Sequence, residues 1–478
     1  MVINKEGTTN NYRKQFEKNT LKTMSLLLFV IFHIIVMLIF TGLQNSQETQ
    51  IIICTYIASI QLILSMKLLV RFGYNLFSMP ILFLVFSFIF HFGHLVLYIL
   101  NIKVARTYNI FDMVSLAIIL KACKFVIFST FYIVYGIVLT STMKVRSREK
   151  NSDTKIQIST IYKVGCWLFG LGILPKLYID LSKIVLFLMK GYLATYTLRV
   201  PGIINTIANM SEYGILMIMV GKQNDKKRLK LIFTCFLLYQ TFIMLSGNRG
   251  RPMVVIIAAV FIYWDLKGSI TKKQILKVGL VGYIGVVFLM FYGNLRNPYL
   301  IDASIVEKVR MSFSSPIANV LDEFGGTMLT LCYSVLYFPK VCSQTFGMNY
   351  ITSFFSVFPN IGGILNGFKE SSIFVYKFPV NLALGGSYLG ELYYSFNEMG
   401  RYFAIFIGAF IGIVSKNLLK TNRNKDWLKY SISMVIFVNI IWWVRGYFYD
   451  MARDIILVPI FILVLYKLQK KELKKKEN

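Results

Sequence analysis

Charge is scarce in this chain, and negative charge is scarcer still. Only 15% of its 478 residues are charged, with 22 acidic side chains against 52 Lys and Arg. Soluble domains carry about a quarter, so an ordinary water-exposed fold is excluded, and length alone does not divide the chain into soluble units. Histidine occurs three times, as His33, His91 and His94. His91 and His94 share a helix face, but no nearby carboxylate or cysteine completes a metal site; a helix–helix hydrogen bond is the expected use. The six cysteines form no CxxC. Cys54, Cys123, Cys166 and Cys235 lie in apolar runs, where cysteine is a small apolar group. Cys332 and Cys342 remain open as an external pair, because spacing alone does not decide it. There is no GxSxG, P-loop, GxGxxG or HExxH. Neither a metal nor another cofactor is expected.

What the sequence has is apolar length. Hydrophobic residues make up 56% of it, gathered into runs that match the roughly 20 residues needed to cross a bilayer. The approximate spans are 24–43, 51–66, 76–100, 113–139, 161–181, 203–220, 231–246, 253–266, 275–293, 402–415, 428–444 and 455–466. The expected fold is all-α: one polytopic membrane helix bundle over 1–478 with about 12 transmembrane helices. The first run follows a polar, charged stretch and lacks a clear cleavage site, so it is expected to be a retained span.

The net charge of +30 sits in short loops rather than on a basic stripe, so nucleic acid is not an expected partner. Lys67 and Arg71, then Lys144 to Lys155, Lys222 to Lys230, Lys267 to Lys273 and Lys416 to Lys425 make every second loop basic. Such loops face the cytoplasm, and the two termini, with Arg13 and Lys14 at one end and Lys474 to Lys476 at the other, join them there. The expected location is the cytoplasmic membrane, multi-pass, with membrane lipids as neighbours. No internal repeat is visible. The stretch 294–401 then falls outside, as a large external loop. Long loops without structure are uncommon, and this one is rich in Tyr, Phe and Gly. It is expected to be partly helical, with re-entrant or interfacial helices around 350–363.

Arginines on the external side oppose the orientation signal and need a reason. Two occur in the run Ser246-Gly247-Asn248-Arg249-Gly250-Arg251-Pro252, and others are Arg296, Arg310, Arg445 and Arg453. The cytoplasmic loops are mostly lysine, which suffices for orientation, whereas arginine offers a planar fork for phosphate. The glycines beside Arg249 permit a tight turn, and Pro252 suits a helix start, where free N–H groups favour an anion. An anion site is one reading; a tight turn whose arginines meet lipid headgroups is the other. A second constellation runs Gly385-Gly386-Ser387-Tyr388-Leu389-Gly390-Glu391-Leu392-Tyr393-Tyr394. Glu391 is positioned either to take a sugar hydroxyl proton or to pair with an external arginine. Tyr393 and Tyr394 suit the faces of sugar rings. A third group is Trp442-Trp443-Val444-Arg445-Gly446-Tyr447-Phe448-Tyr449-Asp450, with Arg453 and Asp454 following. There Arg445 and Arg453 either line a site or reach for headgroups, the site reading being preferred for Arg445 and the headgroup reading for Arg453. Lys121, Lys124 and Glu212 are charges inside spans, which are costly and face the bundle interior; they keep an ion path in view.

With about a dozen spans, an arginine turn between mid-chain spans, one large external loop and a Gly-rich segment leading into Glu-Leu-Tyr-Tyr, the chain resembles the Wzy-type polymerases of O-antigen and capsule repeat units. The resemblance implies a membrane glycosyltransferase whose partner is a lipid-linked oligosaccharide on undecaprenyl pyrophosphate, at the outer face of the cytoplasmic membrane. The growing chain passes from its lipid carrier to the next unit. A chain-length regulator and a flippase are the protein partners it suggests. It carries function to the arginines of the turn, Arg249 and Arg251, and of the large loop, Arg296 and Arg310. Together with the local readings above, Arg249 and Glu391 are the expected catalytic residues, and Arg251, Arg296, Arg310, Arg445, Tyr393 and Tyr394 the expected substrate contacts. The related ligases use an external histidine, which this chain lacks, so Glu391 stands as the candidate base. A ligase-like glycan transferase and a lipid-linked sugar flippase or transporter are the alternatives; two related halves, expected of the latter, are not found.

Overall fold

A computed structural model describes residues 5–102, 109–143, 154–190, 192–244, 250–267, 304–380, 384–418 and 426–477, with parts of 276–291. Every regular element among the described residues is a helix. The long helices are α1 (Lys5–Gly42), α2 (Gln47–Arg71), α3 (Met79–Ile99), α4 (Leu116–Thr142), α5 (Thr154–Lys190), α6 (Gly202–Gly221), α7 (Lys226–Met244) and α8 (Gly250–Lys267). The segment expected as a large loop forms α9 (Ile305–Ser314), α10 (Pro316–Gly325), α11 (Thr327–Tyr337), and the short α12 (Met348–Ser353) and α13 (Asn366–Ser372). The chain closes with α14 (Tyr388–Phe396), α15 (Gly400–Lys416), α16 (Trp427–Trp443) and α17 (Phe448–Glu477).

The starts of these helices follow from local chemistry. Ser46 accepts from the Thr49 amide before α2, and Asp426 accepts from the Leu428 and Lys429 amides before α16. Ser304 and Glu307 form a reciprocal capping box at α9, which satisfies N–H groups that a helix end leaves open. Pro80 and Pro316 stand in the first turns of α3 and α10, where a missing N–H costs nothing.

The described helices long and apolar enough to cross a membrane are Asn19–Gly42, Gln47–Arg71, Met79–Ile99, Leu116–Thr142, Gly202–Gly221 and Tyr388–Lys416, with the shorter apolar helix Trp427–Trp443 beside them. The protein is an all-α polytopic membrane protein. Helices α5, α7, α8 and α17 also cover sequence-predicted spans. Lys176 and Asp180 in α5 and Asp450, Arg453 and Asp454 in α17 break up their apolar character. The predicted span 275–293 is described only in part.

Small residues let two helix pairs approach closely, as packing inside a bilayer favours. Gly136 of α4 faces the backbone of Ile405, and Gly408 of α15 faces that of Ile133. In the α5–α6 pair, a methyl at Gly172 would stand 2.5 Å from the Ile207 carbonyl oxygen and the Ser211 amide nitrogen. That close crossing brings the charged faces of α5 and α6 together. Helices α10 and α11 pack against the bundle rather than hanging in solution: Gly93 of α3 abuts the Leu321 and Gly325 backbone, and His94 Nε2 bonds the Asp322 carbonyl at 2.8 Å. His91 bridges the Ser87 carbonyl (2.8 Å) and Ser387 Oγ (3.0 Å). Both histidines therefore make the interelement hydrogen bonds expected of them. Cys332 and Cys342 are free thiols.

A candidate polar cavity built on five helices

At one end of the bundle, charges from separate apolar helices converge. Helix α5 contributes Lys176 and Asp180, one turn apart on the same face. Pro175 immediately precedes Lys176 inside the helix and deprives the Leu171 carbonyl of its usual N–H partner. Helix α6 contributes Thr206, Asn209, Glu212 and Tyr213. Arg251 lies in the first turn of α8, Asn439 and Trp442 near the end of α16, and Asp450, Arg453 and Asp454 in the first turns of α17.

The charges alternate in sign. Lys176 Nζ lies 2.8 Å from Glu212 Oε1 and 3.5 Å from Asp180 Oδ2. Arg251 Nε donates to Glu212 Oε2 at 3.1 Å, while its Nη2 reaches the Tyr213 hydroxyl at 3.0 Å and Asp454 Oδ2 at 3.4 Å. Asp454 also accepts from Thr206 Oγ1 (2.8 Å), Asn209 Nδ2 (3.0 Å) and the Tyr213 hydroxyl (3.0 Å). Asn439 Nδ2 donates to the same Tyr213 oxygen at 2.7 Å. Asp180 accepts from the Tyr239 hydroxyl of α7 at 2.7 Å. Glu212, Asp180 and Asp454 are 1%, 2% and 3% exposed, so pairing is what keeps their charges tolerable. Removing one partner of such a buried pair typically costs about 3–5 kcal/mol.

Next to this network opens a cavity of about 270 Å³ whose lining includes Lys176, Asp180, Lys183, Asn205, Asn209, Arg251, Trp442, Asp450, Arg453 and Asp454. Several lining groups keep spare capacity. Arg251 Nη1 has no partner among the described residues, although Nε and Nη2 are held. Arg453 Nε donates to the Ser356 carbonyl at 2.5 Å, which ties α17 to the 354–357 turn. Gly202 leaves the room that the Arg453 guanidinium occupies, and Gly250 lets the Trp442 ring close to 2.7 Å of where a Cβ would stand. The cavity thus offers fixed guanidinium donors, a lysine, an indole face and carboxylates. That set can bind an anion and a polyhydroxylated ring together.

The residues singled out from sequence scatter around this centre. Arg251 is at its heart. Arg249 and Arg296 lie outside the described residues; Arg249 is two positions from Arg251 in the chain. Arg310 is exposed on α9. Arg445 is half-buried, its guanidinium 6.0 Å from the Phe90 ring centre, and it does not line the cavity. Tyr393 and Tyr394 are fully buried; Tyr393 faces Glu398 (3.5 Å) and Tyr394 donates to the Ser371 carbonyl (3.3 Å).

Glu391 is 0% exposed. Its Oε2 accepts from Trp443 Nε1 at 2.7 Å and its Oε1 from the Phe448 amide at 2.8 Å. It thereby holds both sides of the α16–α17 turn, and through that turn the two helices that bring Trp442 and Asp450 to the cavity. Beside it, burial pushes the Tyr447 phenol up, so it stays protonated and donates to the Leu384 carbonyl at 3.1 Å. Lys121 and Lys124 pair with Glu398 (3.2 Å) and Gln50 (3.4 Å), away from the cavity. Sequence reasoning passed over Lys176, Asp180, Lys183, Asn209 and Asn439. A Lys and an Asp four residues apart inside an apolar run were the signal available for the first two.

Comparison with known proteins gives one family. The model described as O-antigen polysaccharide polymerase Wzy matches residues 23–477, nearly the whole chain. No curated protein and no solved structure matches.

Proposed function

Because the chain belongs to the O-antigen polysaccharide polymerase Wzy family and so has a role in O-antigen polymerisation, we propose that the polar cavity is where its glycosyl transfer takes place. The substrates are oligosaccharide repeat units of O-antigen or capsule type on undecaprenyl pyrophosphate, joined at the outer face of the cytoplasmic membrane. The observation that carries this reading is Arg251. It is a largely buried arginine clamped by Glu212, Tyr213 and Asp454, lining a polar cavity with a nitrogen that has no partner among the described residues. Such an arginine is held in place before the substrate arrives, so it stabilises developing charge without reorganising.

In the proposed reaction the lipid pyrophosphate is the leaving group. Arg251, Arg453 and Lys183 bind it, with Arg249 as a further cation from the same chain segment. The acceptor hydroxyl of the next unit attacks the anomeric carbon, and the electron pair of the breaking C–O bond leaves with the pyrophosphate. Trp442 supplies a face for a sugar ring. The alternating loop charges support an external cavity, with both termini cytoplasmic, since every lining residue falls at a helix end assigned outside.

The test is the pool of lipid-linked intermediates in a deletion strain carrying single variants. Strains with no protein, or with Arg251→Ala at normal expression, should accumulate single repeat units on lipid. A strain that accumulates none, or in which Arg251→Ala restores long polymer, would remove the cavity from the reaction.

A further inference from the structure

We propose that Asp450 takes the proton from the acceptor hydroxyl during transfer; this rests on the cavity being the transfer site. Four carboxylates gather around the cavity, and three are already engaged. Glu212 is held by Lys176 and Arg251. Asp180 is held by Lys176 and Tyr239. Asp454 accepts from Thr206, Asn209, Tyr213 and Arg251. Each is buried and held by these partners. These three hold the cations in place.

Asp450 differs in both respects. It lines the cavity, it is exposed, and its carboxylate makes no hydrogen bond or ion pair with the described residues. Among the described residues nothing occupies its lone pairs, which can receive a donor that arrives with substrate. It also stands three and four positions before Arg453 and Asp454 in α17, so helical spacing puts all three on one face. A phosphate-binding cation and a proton acceptor on adjacent turns suit a step in which one oxygen leaves as another attacks. Glu391 is poorly suited to that role, being fully buried with both oxygens occupied. His91 has both ring nitrogens engaged.

In the step itself, the acceptor oxygen forms its bond to the anomeric carbon as its proton passes to an Asp450 oxygen. The bond from that carbon to the pyrophosphate oxygen breaks, and its electron pair leaves with the lipid pyrophosphate. Asp450 then releases the proton to water at the cavity mouth.

Asp450→Asn keeps the shape and removes the basic oxygen; with no partner among the described residues to lose, it should fold as the wild type does. In the full chain reconstituted in liposomes, with the lipid-linked repeat unit from the deletion strain as substrate, kcat should fall about 100- to 10,000-fold. KM for the donor should hold. Asp450→Glu keeps a carboxylate and should retain measurable turnover, which serves as the test should Asp450→Asn be poorly expressed. Wild-type turnover by Asp450→Asn alongside an inactive Arg251→Ala would overturn the base assignment and leave the cavity reading intact. Wild-type turnover by both would overturn both. A raised KM at unchanged kcat for Asp450→Asn would make Asp450 a binding residue and also overturn the proposal.

Discussion

Two buried carboxylates, Glu391 and Glu212, show how differently one residue type can be used in this bundle. Glu391 is surrounded by rings and satisfied by neutral donors, the Trp443 indole and the Phe448 amide. Glu212 sits between Lys176 and Arg251. The first arrangement fastens two helices at a turn. The second fixes the geometry of an arginine that borders open space. A burial value does not separate them, since the two are 0% and 1% exposed. The kind of partner does, as does the presence of a cavity alongside.

The largest effect should come from breaking the charged side of this comparison. Arg251→Ala removes the clamped fork and leaves Glu212 and Asp454 short of a cation; polymer should be nearly absent. Loss of a charged phosphate contact alone is worth about 1.5–3 kcal/mol, roughly ten- to a hundred-fold in rate. Arg251→Lys keeps charge without the fork and should be partly active, measured as polymer length at matched expression.

Next comes the pairing itself. Glu212→Ala leaves two cations without their shared carboxylate, so thermal stability of the purified protein should drop by about 3–5 kcal/mol. The double variant Glu212→Leu with Lys176→Met should be less destabilised than Glu212→Ala, because neighbouring charges couple. An additive result would mean that the two do not form a working pair.

Glu391→Gln is a milder change. The amide still accepts one hydrogen bond but turns a second donor toward Trp443 or Phe448. A cost of about 1–3 kcal/mol in thermal stability is expected. Turnover should fall only in step with the loosened α16–α17 turn, and a second-site change that restores stability should restore it. Complete inactivity in a fully stable Glu391→Gln protein would return Glu391 to a direct chemical role.

The smallest effect belongs to the histidines of α3. His91→Asn should lower stability by about 1 kcal/mol through its link to Ser387, with normal polymer. Loss of polymer at normal stability would extend the reaction site to α3.

The helices could be read from sequence because apolar runs of the required length are a one-dimensional signal. The run around Arg251 could be read as well, since glycine, arginine and proline at a helix start say something locally. The partners could not. Glu391 meets Trp443 and Phe448 from across the 401–442 stretch, and Arg251 meets Asp454 from far along the chain; no spacing rule links them. Helices α10 and α11 lie within the segment 294–401. Their seat against α3 depends on Gly93 and Gly325 allowing two backbones to touch, which hydropathy does not record. Lys176 and Asp180 were visible as charges within a span, yet their meaning came only with Glu212 opposite.

If the proposed function holds, the Arg251 cavity opens outward and receives the lipid-linked donor. Asn205 lines that cavity and is exposed, so Asn205→Cys, in a background without other reactive cysteines, reports on it directly. A membrane-impermeant maleimide should label it in intact cells, and accumulated lipid-linked repeat units should slow that labelling. Labelling only after the cells are opened, or at a rate indifferent to the donor, would show that the cavity is not an external donor site.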